Sequence, residues 1–346
     1  MTAGFLASGF AIEPHFLHGK CFPLWNSWRF RCKCVFCILD ASRLHCCVIS
    51  YFPLPASPWQ GPEALRALVC PMAENSLGKS TVYPDKYQPE LLVGIPRQDN
   101  RRILGISDDE LPFTGADIWN AYEISCLDVL GRPRNFIGRF IFPVQSECLI
   151  ESKSLKLYLN SLNQDCFESA QALSETICND LSDIVQCSVE VGLELPGDVS
   201  LPELPAGTCL DDLQLEIQDY QVSAELLKSS NELLYEEIVE EVLYTNLFRS
   251  NCPITNQPDW ATVTICYHGK RIPRENLLKY LVSYRQHNDY HENCVERIFC
   301  DLKGTYMPQS LTVEANFLRR GGLDINPVRT TESALNYQAF PRYIRQ

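Results

Sequence analysis

The sequence contains no run of 18 or more apolar residues, so it predicts no helix that spans a membrane. It is also poor in positive charge, with 30 Lys and Arg against 43 Asp and Glu and a formal net charge of −13. Binding to nucleic acid requires clustered cations that neutralise phosphates, and an acidic surface opposes it. We therefore expect a small-molecule substrate, with no membrane partner and no direct nucleic-acid partner.

Two missing motifs restrict the cofactor. No G-x-G-x-x-G motif follows a predicted strand, so a nucleotide cofactor would not be held by a Rossmann unit. Paired C-x-x-C knuckles are missing too, because the densest cysteine cluster, within residues 32–47, has one C-x-x-C unit, Cys34 to Cys37, without a second. A zinc site in that cluster is the alternative to a plain cysteine-rich segment.

Nothing in the sequence indicates secretion. Seven of the 17 cysteines fall in the first 71 residues and the other ten are scattered without regular pairing, which is typical of reduced thiols rather than of a disulfide framework. The early apolar run has no basic residue before it and is broken by Glu13 and Pro14, unlike a secretory signal. We expect a cytoplasmic enzyme.

The length of 346 residues and a hydrophobic content of 45% allow a globular protein with two domains. Residues 1–71 differ from the rest, since they carry six basic and three acidic residues and show no sustained periodicity. We expect this extension to lie upstream of the natural start, at Met72. The remaining chain is predicted to form one unit over 72–225 and a second over 226–346.

Periodicity predicts the elements of both units. After a polar arm over 79–112, the first unit should contain strands at 117–130, 134–144, 188–195 and 213–223, a turn at 131–133, and helices starting at Ile150 and Phe167. The second should contain strands at 240–250, 260–267 and 310–318, a turn at 268–270, helices at 276–285 and 291–302, and a tail at 319–327. The fold class is therefore α+β.

The two units are similar in sequence. Leu155–Ser161 aligns with Leu277–Ser283, and after a two-residue offset 165–168 aligns with 289–292. This internal repeat predicts two units of common origin. Their polar motifs differ, however, so a site that uses both must lie where the two units, or two chains, meet.

Residues 250–260 carry the candidate chemistry. Prolines at 253 and 258 exclude a regular helix, so Cys252 to Asp259 should form a shaped loop. Loops of this kind often carry reactive groups, and a cysteine close to a carboxylate offers a nucleophile beside a proton donor.

Other polar motifs have two interpretations each. Glu292 at a helix start can cap that helix, or it can accept two parallel hydrogen bonds from a guanine-like edge, which leaves His291 to contact substrate or move a proton. Lys153 and Lys156 can be a solvated helix face or a phosphate site. Arg319-Arg-Gly-Gly322 offers cations and a flexible backbone to a phosphate.

Four motifs together resemble one family. They are Ile150-Glu-Ser-Lys-Ser-Leu-Lys-Leu-Tyr158, Ser250-Asn-Cys-Pro-Ile-Thr-Asn-Gln-Pro-Asp-Trp260, His291-Glu292 and Arg319-Arg-Gly-Gly-Leu-Asp-Ile-Asn-Pro327. Over residues 72–346 the chain resembles the QueF family of NADPH-dependent 7-cyano-7-deazaguanine reductases, in its longer, two-unit form. The resemblance implies two tandem tunnelling-fold units, each an antiparallel sheet with two helices on one face.

The resemblance also implies residue roles in the reduction of a nitrile to an amine for queuosine biosynthesis. Cys252 would be the nucleophile that forms a thioimide, and Asp259 the proton donor. The remaining roles would be substrate binding by Ile150, Glu151, Ser152, His291 and Glu292, and cofactor binding by Ser152, Lys153, Arg320 and Gly321. Two NADPH would be used per turnover, with no metal, by a homodimer.

Two other functions stay open. One is a zinc-dependent GTP cyclohydrolase-like enzyme of the same fold, which would need Cys and His ligands that the sequence does not supply in a recognisable set. The other is a non-catalytic purine-binding or tRNA-associated module, which would need neither Cys252 nor Asp259.

Overall fold

The computed structural model describes residues 84, 86–197, 205–228, 237–333, 335–343 and 346. The expected start at Met72 and the alternative zinc cluster within residues 32–47 lie outside these residues. Within them, no helix is both long and apolar enough to cross a membrane.

One eight-stranded sheet runs through the described chain in the order β5-β3-β2-β10-β9-β8-β7-β6. Its strands are β2 (Thr114–Leu127), β3 (Pro133–Pro143), β5 (Glu190–Glu194), β6 (Thr208–Cys209), β7 (Ile238–Asn251), β8 (Pro258–Lys270), β9 (Ser310–Phe317) and β10 (Leu323–Thr330). All neighbours are antiparallel except β6 and β7. Two short strands, β1 (Gly94–Pro96) and β4 (Cys148–Ile150), pair separately.

Five α-helices pack with these strands. They are α1 (Gln98–Ile103), α2 (Ser152–Ser161), α3 (Ala170–Val185), α4 (Arg274–Ser283) and α5 (His291–Tyr306). The apolar stripe of α3 is buried at Leu173, Ile177 and Leu181, as its spacing predicts. Alternate residues of β8, such as Val263 and Ile265, enter a core cluster shared with α4 and α5, while α2 and α3 share another with β2 and β3.

The two halves repeat the same local features. Both hairpins carry a β-bulge, between Ala121 and Ile124 in β2 and between Thr245 and Phe248 in β7. A 10-residue helix, a 3-10 turn and a 16-residue helix follow in each half. The predicted α+β class is therefore observed, with the strands in antiparallel hairpins.

The second block of the sequence alignment is wrong. Leu127 N–H donates to Asp165 O, while Asn251, which occupies the same hairpin position in the second half, donates to His287 O. Asp165 thus corresponds to His287 and not to Asp289. The match of acidic residues was misleading because backbone pairing, rather than side-chain identity, determines the register here.

Three predicted elements also differ. The strand at 213–223 is absent, although 213, 215 and 217 pack against the core, because an extended chain can alternate in burial without pairing to a neighbour. The turn at 268–270 lies inside β8, since those residues pair with β7. The tail at 319–327 contains most of β10, a central strand that joins β2 to β9.

Candidate active site

A six-residue loop between β7 and β8 presents Cys252. The Cys252 N–H donates to Gln257 O at 2.9 Å, and the Asn256 N–H donates to Cys252 O at 2.9 Å. Asn256 adopts a left-handed backbone conformation, with φ of 55°, which Asn tolerates better than most residues. The thiol is free and half-buried, so the closed loop holds a reactive atom at an accessible position.

Asp259 is not in this loop as predicted. Pro258 and Asp259 begin β8, opposite Asn251 and Ser250 of β7. Pro258 excludes a helix, but a proline is tolerated at the first position of a strand. Its presence therefore did not show that the loop continues to Asp259. Placing the carboxylate on a strand fixes it more rigidly than a loop would.

Two nitrogen-bearing side chains meet the Asp259 carboxylate, which is 3% exposed. Arg320 donates from one guanidinium nitrogen to Oδ1, and His291 Nε2 lies 3.3 Å from Oδ2. Burial raises the pKa of Asp259, but hydrogen bonds and charge from His291 and Arg320 outweigh it and hold that pKa below its usual range. In this state Asp259 is a carboxylate.

His291 is held by an aromatic contact. Its ring stacks on Phe317 of β9, with 3.7 Å between centroids and 8° between planes. Its Nδ1 is buried, and no described residue hydrogen-bonds to it. The stacking therefore directs Nε2 at Asp259 and leaves the second ring nitrogen for another partner.

Glu292 lies beside a buried charge cluster in the first turn of α5. Arg329 joins Asp117 and Glu296 at 2.8 and 3.0 Å, and Arg97 binds Asp117 at 2.5 Å. Burial and the Asp117 charge raise the pKa of Glu292 to about 8, despite the opposing effects of its own N–H, Arg97 and Arg329. Glu292 can thus gain or lose a proton near neutral pH.

Tyr290 links the two halves of the site, and the sequence interpretation missed it. It precedes His291 at the N-cap of α5. Burial, followed by the negative charges of Glu151, Cys252 and Glu292, raises the pKa of its phenol to about 12. Negative charge from Glu151 of the first half therefore affects the same phenol as negative charge from the second half. Its position directly before His291 was the only signal for Tyr290.

The first-half motif lies at the start of α2. Glu151 caps that helix by accepting hydrogen bonds from Lys153 N at 3.0 Å and Ser154 N at 2.7 Å. Ile150 is buried, whereas Ser152 and Lys153 are exposed. Exposed groups at a helix N-terminus can meet an anion, since the N–H groups there favour negative charge.

The residues predicted to bind the cofactor have two different sets of neighbours. Arg320 contacts Asp259 and Gln257, whereas Gly321 faces Lys156, whose Nζ would lie 3.1 Å from a Cβ added at Gly321. The glycine thus leaves room at a cation, as close approach of a phosphate would require. These residues fit a phosphate-bearing cofactor. Lys156 belongs with them because it lies beside Gly321, a relationship that its sequence motif did not show.

A polar cleft adjoins the Cys252 loop. Its volume is about 570 Å³, and its lining includes Asn251 and Asn256. Two further lining residues, Arg249 and Arg285, lie 5.6 and 5.3 Å from the ring centre of Trp260. The sequence interpretation did not identify this cleft.

The described residues contain no group of three or more His, Cys, Asp or Glu side chains that could hold a metal ion. His291, the histidine nearest the chemistry, faces Asp259. The polar groups around Cys252 are instead arranged for hydrogen bonding and proton exchange.

Comparison with known proteins decides the family. A family model described as "Nitrile reductase, 7-cyano-7-deazaguanine-reductase N-term" matches residues 83–193, and one described as "QueF-like protein" matches residues 258–335. A protein of Desulfotalea psychrophila named NADPH-dependent 7-cyano-7-deazaguanine reductase is 49% identical over 261 residues, covering 74% of this chain and 92% of the relative. The chain belongs to the QueF family.

Two other QueF relatives carry the same name. The protein of Chromohalobacter salexigens is 48% identical over 74% of this chain and 91% of its own length, and that of Saccharophagus degradans is 48% identical over 75% and 95%. The resemblance read from the sequence motifs is confirmed. A crystal structure titled as the archaeosine synthase QueF-Like in the apo form aligns at 20% identity with a TM-score of 0.25, over 28% of this chain and 96% of its own, too distantly to bear on the fold.

Proposed function

We propose that this chain reduces the nitrile of 7-cyano-7-deazaguanine to the primary amine of 7-aminomethyl-7-deazaguanine, with NADPH as reductant, in queuosine biosynthesis. The single observation that carries the proposal is the placement of a free thiol, Cys252, on a closed loop that leads into β8, where the Asp259 carboxylate meets His291 and Arg320. The names of the QueF relatives supply the substrate and the cofactor.

Cys252 is the nucleophile. Its sulfur adds to the nitrile carbon, one C–N π bond breaks, and the nitrogen takes a proton, so that a thiol and a nitrile become a thioimide without oxidation or reduction. The product is imine-like, and its carbon accepts hydride more readily than a nitrile carbon. Two hydrides and two further protons complete the conversion to the amine, and the thiol is released.

Asp259 supplies the proton to the nitrile nitrogen. The carboxylate first has to take up a proton, and His291 is placed to provide one because its Nε2 faces Oδ2 at 3.3 Å. Phe317 keeps the imidazole in that orientation by stacking.

Glu292 and Glu151 recognise the deazaguanine. A buried carboxylate can accept parallel hydrogen bonds from the ring N–H and the amino group, a pairing that an uncharged amide cannot reproduce as strongly. Ile150, Ser152 and His291 complete the substrate contacts in this proposal.

The cofactor, when bound, supplies hydride. Ser152, Lys153, Arg320 and Gly321 are the residues we propose to hold it, joined by Lys156. The exposed side chains of Ser152 and Lys153 and the cation facing Gly321 can both meet phosphate oxygens.

The architecture completes the proposal. Two tandem tunnelling-fold units, over 72–225 and 226–346, are supported by the repeated bulged hairpin and helix pair and by the two core clusters. We propose a homodimer in the cytoplasm. These points rest on family likeness and on the repeat.

The decisive measurement is NADPH oxidation with and without 7-cyano-7-deazaguanine. We expect oxidation only when the nitrile is present, at two NADPH per nitrile. Without NADPH, the protein should gain the mass of one nitrile molecule, and Cys252→Ala should gain none. Cys266→Ala, which removes an exposed thiol of β8, is the matched control and should behave as wild type. Nitrile-independent oxidation, or an adduct on Cys252→Ala, would contradict the proposal.

A further inference from the structure

Arg320 contacts the reacting loop and the catalytic strand at the same time. One terminal nitrogen donates to Asp259 Oδ1, and the other donates to Gln257 Oε1 at 2.5 Å. Gln257 in turn closes the Cys252 loop through its backbone carbonyl. One guanidinium therefore joins the proton donor to the loop that carries the nucleophile.

The backbone that carries Arg320 is a fixed turn between β9 and β10. Arg320 N donates to Leu323 O at 2.8 Å and Leu323 N donates to Arg320 O at 3.1 Å. The two residues between them, Gly321 and Gly322, have φ of 58° and 81°, which side-chain-bearing residues rarely adopt. The side chain of Arg320 can change direction while its backbone stays in place.

The same turn faces the cationic position at Lys156. The Lys156 amine lies next to Gly321, immediately after Arg320 in the chain. The Arg320 side chain is 35% exposed, so it can reach solvent, or an anion beside the turn, without opening the core. An anion bound here would compete with Asp259 for the guanidinium.

This geometry conflicts with the chemistry that Asp259 must perform. A carboxyl group can donate a proton only when it is protonated, and a guanidinium at hydrogen-bonding distance favours the carboxylate. The Arg320 contact therefore keeps the acid in the form that cannot donate. The contact must be lost before the nitrile nitrogen can be protonated from Asp259.

We propose that Arg320 is a latch on Asp259, released when its guanidinium turns to a phosphate of the bound cofactor. The latch rests on the proposed function. Asp259 can donate a proton without the hydride donor, but about tenfold faster when the hydride donor is in place, and Arg320 is thereby a positioning residue that acts through Asp259.

The other groups near Asp259 do not supply this control. His291 and Cys294 approach it from α5, and Ser250 is its neutral neighbour on β7. His291 is held by its stacking on Phe317. Arg320 is the exposed, mobile member of the set.

The test follows adduct formation in the absence of reductant. Wild type, Arg320→Gln and Arg320→Lys are mixed with 7-cyano-7-deazaguanine at pH 5 to 9, and the rate of mass gain is measured with and without NADP⁺, which cannot deliver hydride. Arg102→Gln is the control for charge, since Arg102 is 69% exposed and pairs only with Asp99 among the described residues. Alkylation of Cys252 by iodoacetamide reports the thiol independently.

The rate depends on the thiolate of Cys252 as well as on protonated Asp259, so the rate at each pH is divided by the rate of iodoacetamide alkylation, which reports the thiolate. The divided wild-type rate should fall as pH rises, because protonated Asp259 becomes scarce. In Arg320→Gln that fall should move up by about one pH unit, or about tenfold in divided rate at neutral pH. NADP⁺ should produce the same displacement in wild type and none in Arg320→Gln. Arg320→Lys should be intermediate, because an ammonium cannot make both contacts of the guanidinium.

Each outcome is decisive. No adduct in wild type, either with or without NADP⁺, and none in Arg320→Gln would remove the proposed function, and the latch with it. An adduct whose pH profile is the same in wild type and Arg320→Gln would remove the latch alone. A displaced profile in Arg320→Gln with no effect of NADP⁺ on wild type would overturn release by the cofactor. Changed iodoacetamide alkylation in Arg320→Gln would place the effect on the thiol and overturn control through Asp259.

Discussion

The imidazole of His291 lies flat on the ring of Phe317, at 3.7 Å between centroids, and this contact holds Nε2 3.3 Å from Asp259. The pair connects a buried core residue of β9 to the proton chemistry at the start of β8. A side chain that never touches substrate can therefore affect the rate.

Replacing Phe317 tests that connection. In Phe317→Leu the flat surface is lost, so His291 should move away from Asp259 and kcat should fall about tenfold. Phe299→Leu is the matched control, because Phe299 is also fully buried but packs against Phe113. Both variants should lose about 1 kcal/mol in free energy of unfolding, measured in urea. Equal activity in the two variants would contradict the role of the stacking.

Glu292 should make substrate affinity depend on pH. Its pKa of about 8 means that the free protein holds Glu292 mainly protonated at pH 7, whereas binding the deazaguanine edge requires the carboxylate. Affinity should therefore rise about tenfold per pH unit up to pH 8. Calorimetry in buffers of different ionisation enthalpy should detect about one proton released per substrate bound at pH 7.

Glu292→Gln is the control for that titration. It should bind the substrate more weakly by roughly 2 kcal/mol, because the charged acceptor is lost, and release no proton from this position. The raised pKa also makes the free energy of unfolding depend on pH. The contribution of Glu292 to that free energy is full below its unfolded pKa of 4.5 and is lost as the pH rises to its folded pKa of about 8. Wild-type affinity that does not change between pH 6 and 8 would argue against Glu292 as the substrate ligand.

The buried charge cluster should be strongly stabilising as a set. Arg329 is fully buried and binds both Asp117 and Glu296. In Arg329→Met two buried carboxylates each lose one of their two close cationic partners, and the free energy of unfolding should fall by about 3 kcal/mol. Arg271→Met, at a partly exposed pair with Glu237 and Glu241, should cost less than about 1 kcal/mol. Urea unfolding monitored by circular dichroism compares them, and similar losses would contradict the prediction.

Lys156 should matter for the cofactor rather than for the substrate. It is the cation that faces Gly321, so Lys156→Gln should raise KM for NADPH about tenfold, equal to about 1.4 kcal/mol of binding, with kcat and nitrile affinity little changed. Lys86→Gln removes an exposed lysine elsewhere and serves as the control. A change in nitrile affinity alone would move Lys156 out of the cofactor site.

Much of the secondary structure could be predicted because the signals are local. The apolar steps that start at Phe167 predict α3, and the alternating residues around Val263 predict β8, since each pattern reports one buried face. The predictions of strands were wrong where the burial pattern of a segment does not match its pairing in the sheet. Residues 213–217 alternate without joining the sheet, and 319–327 read as a tail because its polar motif hid a central strand.

The candidate site divides in the same way. Cys252 could be singled out by its proline-framed loop, and Glu292 by its place beside His291 at a helix start. Tyr290 and Lys156 needed the fold, because their significance lies in what α5 and the turn after β9 bring near them. Arg320 carried a phosphate-binding motif, but its contact with Asp259 spans 61 positions in the sequence.

The sequence by itself determined the family and most of the helices and strands, and it singled out Cys252 as a candidate, because these depend on residue type and on short-range periodicity. The tertiary structure alone decided which charges meet: Arg320 with Asp259, and Arg329 with Asp117 and Glu296. Such pairs join distant segments, and their protonation depends on burial and distance, which no local pattern encodes.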